Sequence, residues 1–261
     1  MYNLIKKLYV KLIRPLISNE LDQQRLKLIW FIWGYVPMFR IKEMSLKEKI
    51  SLFKKFIKTD WNILHSHRPQ EISEVIKFLA KRKAEPNEIM IEAGCFNGGS
   101  AAKFSHFCKM QGLTLHIFDS FEGVEPLSPE LKSIEYDFAG LYAASEEFVW
   151  NNLKRFGEPD ICKTYKGWFC NTMKPGNIIH PVRTVFIDCD LAKGTTEVLD
   201  GIIPKLAKDG IIFSQDYQFP TVRALLNDKN TWTRYGKGLP EVKKLCFNLA
   251  SIEFKDLKLN N

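Results

Sequence analysis

Several kinds of chemistry are missing from this chain. Its six cysteines, at positions 95, 108, 162, 170, 189 and 246, form no C-x-x-C pair and no ligand spacing with the five histidines. A structural zinc and a disulfide framework are therefore not expected, and free thiols suit a reducing cytoplasm. The densest apolar run, Leu28 to Phe39, holds Gly34 and Pro37 and is twelve residues long, well short of the roughly twenty needed to span a bilayer. A secretory signal would need a longer uncharged core and a small-residue cleavage site, neither of which is expected from the first thirty positions. No repeat, no low-complexity stretch and no G-x-G-x-x-G fingerprint is found.

What is present fits a soluble α/β protein. At 261 residues, 45% apolar and 26% charged, the chain can bury one full core with a smaller appendage. The net charge of +8 sits in residues 1 to 60, where thirteen Lys and Arg face five Asp and Glu. That region opens Met1-Tyr2-Asn3-Leu4-Ile5-Lys6-Lys7-Leu8-Tyr9-Val10-Lys11-Leu12-Ile13-Arg14, a basic amphipathic helix by its spacing. Two readings stay open for it. Residues 1 to 40 could dock on an anionic membrane surface, or cap the rest of the chain or a second copy in a homo-oligomer. No nucleic-acid motif accompanies the basic stretch.

Residues 1 to 60 are read as the basic helical extension and 61 to 261 as the main domain, joined by Trp61 to Arg68, whose His65 and His67 are read first as part of a surface connector and second as reaching the cofactor pocket. Helical spacing covers Gln70 to Lys83, Ser100 to Gln111, Glu146 to Phe156 and Thr195 to Leu206. Strands are expected at Glu88 to Ala93, Leu113 to Phe118, Ile161 to Tyr165, Thr184 to Ile187 and Gly210 to Ser214, and a frayed tail after Lys255. This alternation predicts a parallel, doubly wound, Rossmann-like sheet whose ligand crevice lies at the strands' carboxyl ends. His106 and His116, in a helix and a strand, are assigned no chemistry.

The informative residues fall at those ends. Glu92-Ala93-Gly94-Cys95-Phe96-Asn97-Gly98-Gly99-Ser100 follows one strand and opens a helix. Phe96 stands where a dinucleotide site has its middle glycine, and a carboxylate at Glu92 would repel a pyrophosphate. Glu92 suits a ligand with a positive amino group, and Asp119, ending the next strand, suits the two hydroxyls of a ribose. An aminoacyl nucleoside without phosphates, such as S-adenosylmethionine, meets both requirements.

Four further segments, in order, resemble the macrocin O-methyltransferase family. They are Phe118-Asp119-Ser120-Phe121-Glu122-Gly123 with Pro126; Phe138-Ala139-Gly140 with Ser145-Glu146-Glu147; Lys166-Gly167-Trp168-Phe169 with Thr172; and Ile187-Asp188-Cys189-Asp190-Leu191. The likeness runs over roughly residues 60 to 230. It implies a class I methyltransferase fold, S-adenosylmethionine and Mg²⁺ as cofactors, and methylation of a hydroxyl on a small-molecule or glycan acceptor. It would place Glu92 and Gly94 at the methionine end of the cofactor, Asp119 at the ribose, and Gly167 with Trp168 around the adenine. Cys95, Asn97, Ser100 and Ser120 complete the expected cradle.

A hard divalent cation takes oxygen ligands, and Asp188 ends one strand where Gln215-Asp216 end the next, so these three are the candidate metal set. The family usually carries two aspartates at the second position, so Gln215 lowers the expected affinity by one charge. By the same likeness Asp190 is the candidate general base. Ala192 and Gly194 stand where the family commonly has an aromatic residue and a serine. Those departures keep alive a degenerate binding or scaffold protein at the membrane; a nucleotide-dependent oxidoreductase is disfavoured by the glycine spacing and Glu92.

Overall fold

Seven strands build one mixed sheet in a computed structural model that describes residues 29–254 apart from Pro175 and Lys237. The amphipathic helix expected over Met1 to Arg14 and the frayed tail expected after Lys255 lie outside the described residues. Strands β1 (Ile89–Ala93), β2 (Thr114–Asp119), β3 (Cys162–Lys166), β4 (Val182–Ile187) and β5 (Leu206–Ser214) are parallel. Strands β6 (Glu241–Cys246) and β7 (Leu249–Glu253) form a hairpin, with β7 antiparallel to β5. The order is β3-β2-β1-β4-β5-β7-β6. The chain enters at β1, winds outward to β3, then returns to β4, so the topological switch point lies between β1 and β4.

Sequence periodicity explains the inner strands. Every residue of β1 and of β4 is buried, as expected for parallel strands covered by helices on both faces. Helices α1 (Val36–Phe39), α2 (Leu46–Asn62), α3 (Pro69–Leu79), α4 (Gly99–Gln111) and α5 (Glu146–Phe156) belong to one side of the sheet, and α6 (Phe169–Thr172), α7 (Ala192–Ile202), α8 (Pro220–Asn227) and α9 (Lys229–Thr233) to the second half of the winding. Tyr35, Met38, Leu52 and Phe56 share a core cluster with Phe104 and Phe186, so the described part of the basic extension is built into the main core. Ser45 and Glu48 start α2 with a reciprocal capping box.

Helix α4 has no solvated face. Gly99 through Cys108 are all buried, because the helix lies between the sheet and α2. That position puts Lys103 where only another buried side chain can meet its charge.

Two boundaries moved for local reasons. The helix expected to end at Leu206 stops at Ile202, since Pro204 turns Ile203–Lys205 into a 3₁₀ turn and lets β5 begin at Leu206. The sheet is mixed rather than parallel, because β6 and β7 were not foreseen: β6 is a polar edge strand with no buried residue. Glu71 of α3 fastens that hairpin, accepting from the Asn248 N–H at 3.2 Å.

Candidate functional site

The cleft opens at the switch point, where β1 and β4 end side by side. Gly94 has φ +87°, and a Cβ there would lie 1.8 Å from the Asp188 carbonyl oxygen. No other residue fits, since the end of β1 is tied to β4 by Asp188 N–H to Ala93 O at 2.8 Å and to β2 by Gly94 N–H to Phe118 O at 2.9 Å. Asp119 then organises both neighbouring turns: its Oδ2 accepts from Cys95 N–H and its Oδ1 from Phe121 N–H, each at 2.7 Å. Burial nonetheless holds its pKa above the usual carboxylate range, with those N–H groups acting against the shift. Asp119 also lines the cleft, where its carboxylate can meet a hydroxyl donor.

Behind this turn Glu92 is wholly buried, and neither carboxylate oxygen has a hydrogen-bond partner among the described residues. Ser100 is equally buried with its hydroxyl unpaired, near enough to offset the shift on Glu92 without closing a hydrogen bond. Burial pushes the Glu92 carboxyl up to about 8. An ordinary core does not keep two bare carboxylate oxygens. The arrangement fits a cationic amino group arriving with a ligand, which is the fit that S-adenosylmethionine requires.

On the facing side, carboxylate oxygens of Asp188, Asp190 and Asp216 lie within 4.8 Å of one another. Asp216 is fully buried, and its Oδ2 accepts from Cys189 N–H at 2.8 Å and Asp190 N–H at 2.9 Å while Oδ1 has no partner. Those two bonds hold Asp190 in a left-handed turn with φ +62°. Burial and then the neighbouring Asp188 raise Asp190 to about 7; burial, Asp188 and Asp190 raise Asp216 well above its ordinary value. Three convergent oxygens of this kind suit a hard cation. Two of the expected metal set, Asp188 and Asp216, belong to this trio. Asp190 joins the other two carboxylates, and Gln215, 5% exposed, stands on the cleft wall with its N–H bound to Ile187 O at 2.8 Å.

His67 takes the second of the two roles that the sequence leaves open for it. Expected on a surface connector with His65, it is instead buried, and its Nε2 lies 2.7 Å from Asp188 Oδ2. Burial lowers its pKa, but the Asp188 charge and hydrogen bond outweigh that and leave it raised. His65 is buried as well, against Asp60 and Lys103. No spacing in the sequence announces a contact across 121 positions; only the close packing of α3, α4 and β4 makes it.

The cleft encloses about 1030 Å³ including its open mouth. Gly94, Cys95, Asp119, Ser120, Gly167, Trp168, Asp188, Asp190 and Gln215 all line it, and Phe96, Tyr142 and Asn248 were not foreseen. Asn97 does not line it: its amide donates to Leu64 O at 3.0 Å and its carbonyl accepts from Asn152 at 2.9 Å. Glu92 and Ser100 sit beneath the lining. Ser120 and Gly123 shape the mouth. A Cβ on Gly123, at φ +91°, would meet Leu141 O at 2.6 Å, because residues 123–124 are stitched to 139–141 by Val124 N–H to Leu141 O and Gly140 N–H to Val124 O, each at 3.0 Å. The Asp-Ser-Phe-Glu-Gly and Phe-Ala-Gly motifs are thus one structure. Ser145, by contrast, caps α5 through Phe148 N–H. Gly194 packs under the acidic loop, where a Cβ would lie 3.2 Å from Cys189 Cβ, which explains a small residue there.

Comparison with known proteins agrees with this geometry. The family described as Macrocin-O-methyltransferase (TylF) matches residues 58–246. Relatives include an 8-demethyl-8-(2,3-dimethoxy-alpha-L-rhamnosyl)-tetracenomycin-C 4'-O-methyltransferase of Streptomyces olivaceus, 27% identical over 56% of this chain and 59% of that protein. A mycinamicin III 3''-O-methyltransferase of Micromonospora griseorubida is 26% identical over 57% of this chain and 62% of its own. The chain thus spans about three fifths of the length of these relatives. Among solved structures, the O-methyltransferase NovP superposes with a TM-score of 0.57 at 16% identity, over 90% of this chain and 99% of that one. The calicheamicin methyltransferase CalS11 gives 0.52 at 15% identity, over 90% and 93%. The fold is that of the class I, Rossmann-like methyltransferases, and the chain belongs to the macrocin O-methyltransferase family.

Proposed function

We propose that this protein is an S-adenosylmethionine-dependent O-methyltransferase that methylates a hydroxyl on a small molecule, a sugar or glycan, with Mg²⁺ assistance. The observation that carries the reading is the pairing, at one cleft, of a bare carboxylate buried beneath its lining at Glu92 with the carboxylates of Asp188 and Asp190 on its wall and Asp216 buried beside them. The sugar O-methyltransferases named among the relatives support the acceptor class.

The chain's own groups divide the work. Glu92 ionises to receive the amino group of the cofactor, Gly94 keeps the turn flat enough for it to approach, and the Asp119 carboxylate accepts from the ribose hydroxyls. S-adenosylmethionine, when bound, supplies a methyl group whose bonding electrons return to sulfur as the acceptor oxygen takes it. Asp188 and Asp216 would hold Mg²⁺, with the Gln215 amide on the same wall, and the cation would supply positive charge that acidifies the acceptor hydroxyl. Asp190 accepts the hydroxyl proton. It lines the cleft beside Asp188, as a base for an acceptor bound there must. His67 keeps Asp188 turned toward the cleft. The six free thiols support a cytoplasmic location.

Calorimetric titration with S-adenosylhomocysteine, with and without Mg²⁺ and with NAD⁺ as control, tests the cofactor. Micromolar binding of S-adenosylhomocysteine alone is expected. Binding of NAD⁺ in its place would replace this reading with the oxidoreductase. Transfer of labelled methyl to a panel of sugar nucleotides and glycosides then identifies the acceptor.

A further inference from the structure

The helical layer ahead of the sheet carries an apolar face that nothing in the described chain covers. Residues 29–34 are helical. At about 100° per residue, Ile32, Ile29, Trp33 and Trp30 fall within one arc of about 160°. They are 42%, 48%, 70% and 46% exposed. The opposite side is the packed one, where a Cβ on Gly34 would lie 2.8 Å from Pro69 and where Tyr35 is fully buried. A solvated surface helix shows the reverse pattern, apolar inward and polar outward. The face continues into a second cavity, lined by Trp30, Ile63, Leu64 and Pro69, with Leu64 itself 75% exposed. Ser66 lines both this cavity and the cleft.

Charge decides what meets this face. Residues 29–64 hold seven Lys and Arg against three Asp and Glu, and one of the three, Asp60, is buried against Lys103. Over residues 1–60 the excess reaches thirteen against five. A second copy docking through this face would press two positive surfaces together. Exposed indoles on a cationic surface instead match the edge of an anionic bilayer, where Trp sits at headgroup depth and Lys and Arg face phosphate.

We infer that this layer docks the protein on an anionic lipid surface, with Trp30 and Trp33 entering the headgroup region. Through Ser66 the cleft then lies next to the lipid-facing side. The docking is independent of the methyl-transfer reading, and it is tested without a methylation assay.

The full chain is co-sedimented with vesicles of phosphatidylcholine alone and of phosphatidylcholine mixed with phosphatidylglycerol. Binding to the mixed vesicles only, weakened by added salt, and quenching of tryptophan emission by brominated lipid are expected. The Trp30→Ser/Trp33→Ser variant should bind the mixed vesicles roughly tenfold more weakly or worse, with melting temperature and light-scattering mass unchanged. Trp33→Ser alone, at the most exposed position, reads the same loss if the double variant folds poorly. Absence of binding to mixed vesicles, or equal binding by parent and Trp33→Ser, overturns the inference. So does a parent dimer that the substitutions turn into a monomer without vesicle binding, which would make the face an interface between copies.

Discussion

Two buried polar clusters flank the α3–α4 junction, and they are built on opposite rules. In the first, Asp60 accepts from Tyr35 Oη at 2.7 Å, Lys103 Nζ at 2.7 Å and His65 Nε2 at 2.6 Å, with the Asp60 and Lys103 side chains wholly buried. Burial opposes the Asp60 charge, but Lys103 and His65 overcome it and hold its pKa well below the ordinary range. Burial, then Lys103, pushes His65 down to about 4 and keeps it neutral. In the second, Glu92, Asp190 and Asp216 are like-charged, all raised, and three of their oxygens lack partners. The two clusters are joined by the parallel rings of His65 and His67, 6.4 Å apart. A charge-balanced cluster, with only His65 Nδ1 unpaired, ties elements together; an unbalanced one, bare in its own fold, is held ready for something from outside.

The largest effect expected is on the unbalanced side. Asp190→Asn should lower turnover by about 10²–10⁴-fold in a methyl-transfer assay, with S-adenosylhomocysteine and Mg²⁺ affinities retained. A loss of Mg²⁺ affinity instead would make Asp190 a ligand rather than the base. On the balanced side, Lys103→Met strands the Asp60 charge and should cost about 3–5 kcal/mol in denaturant unfolding. A cost under about 1 kcal/mol would erase the distinction between the clusters.

Glu92→Gln should act in both directions, weakening S-adenosylhomocysteine about 10–100-fold while stabilising the ligand-free protein near neutral pH. The sign follows from linkage. The folded pKa, about 8, lies above the ordinary value of 4.5, so the unfolded state releases its proton first. The Glu92 contribution to stability therefore falls as pH rises through the window between those values, and melting curves of wild type and Glu92→Gln should diverge across it. For the same reason, cofactor binding at pH 7 should release a fraction of a proton, seen as a binding enthalpy that varies with the buffer's ionisation enthalpy. Smallest of all, Lys193→Ala removes an exposed pair with Glu125 and should change stability by about 0.5 kcal/mol or less in the same melts.

Legibility in the sequence followed the range of the interaction. The five parallel strands and α5, Glu146–Phe156, were readable because burial on a two-sided sheet and helical amphipathicity leave local periodic traces. The edge hairpin was not, since β6 alternates weakly and its residues are partly solvated. Within the cleft, Asp119, Gly94 and Asp190 stood out because strand-end motifs mark them. The His67–Asp188 contact did not, because its two partners lie far apart along the chain.

By itself the sequence determined the fold class and the strand ends where chemistry gathers, since backbone propensity and apolar spacing act over a few residues, and its ordered motifs carried the family resemblance. Only the tertiary structure decided that Asp188, Asp190 and Asp216 converge and that His67 is coupled to Asp188. It also decided that Lys103 is neutralised while Glu92 is left bare. Those outcomes depend on burial and on distances of a few ångströms between residues remote in sequence, and electrostatic energies in a protein interior are set by these two quantities.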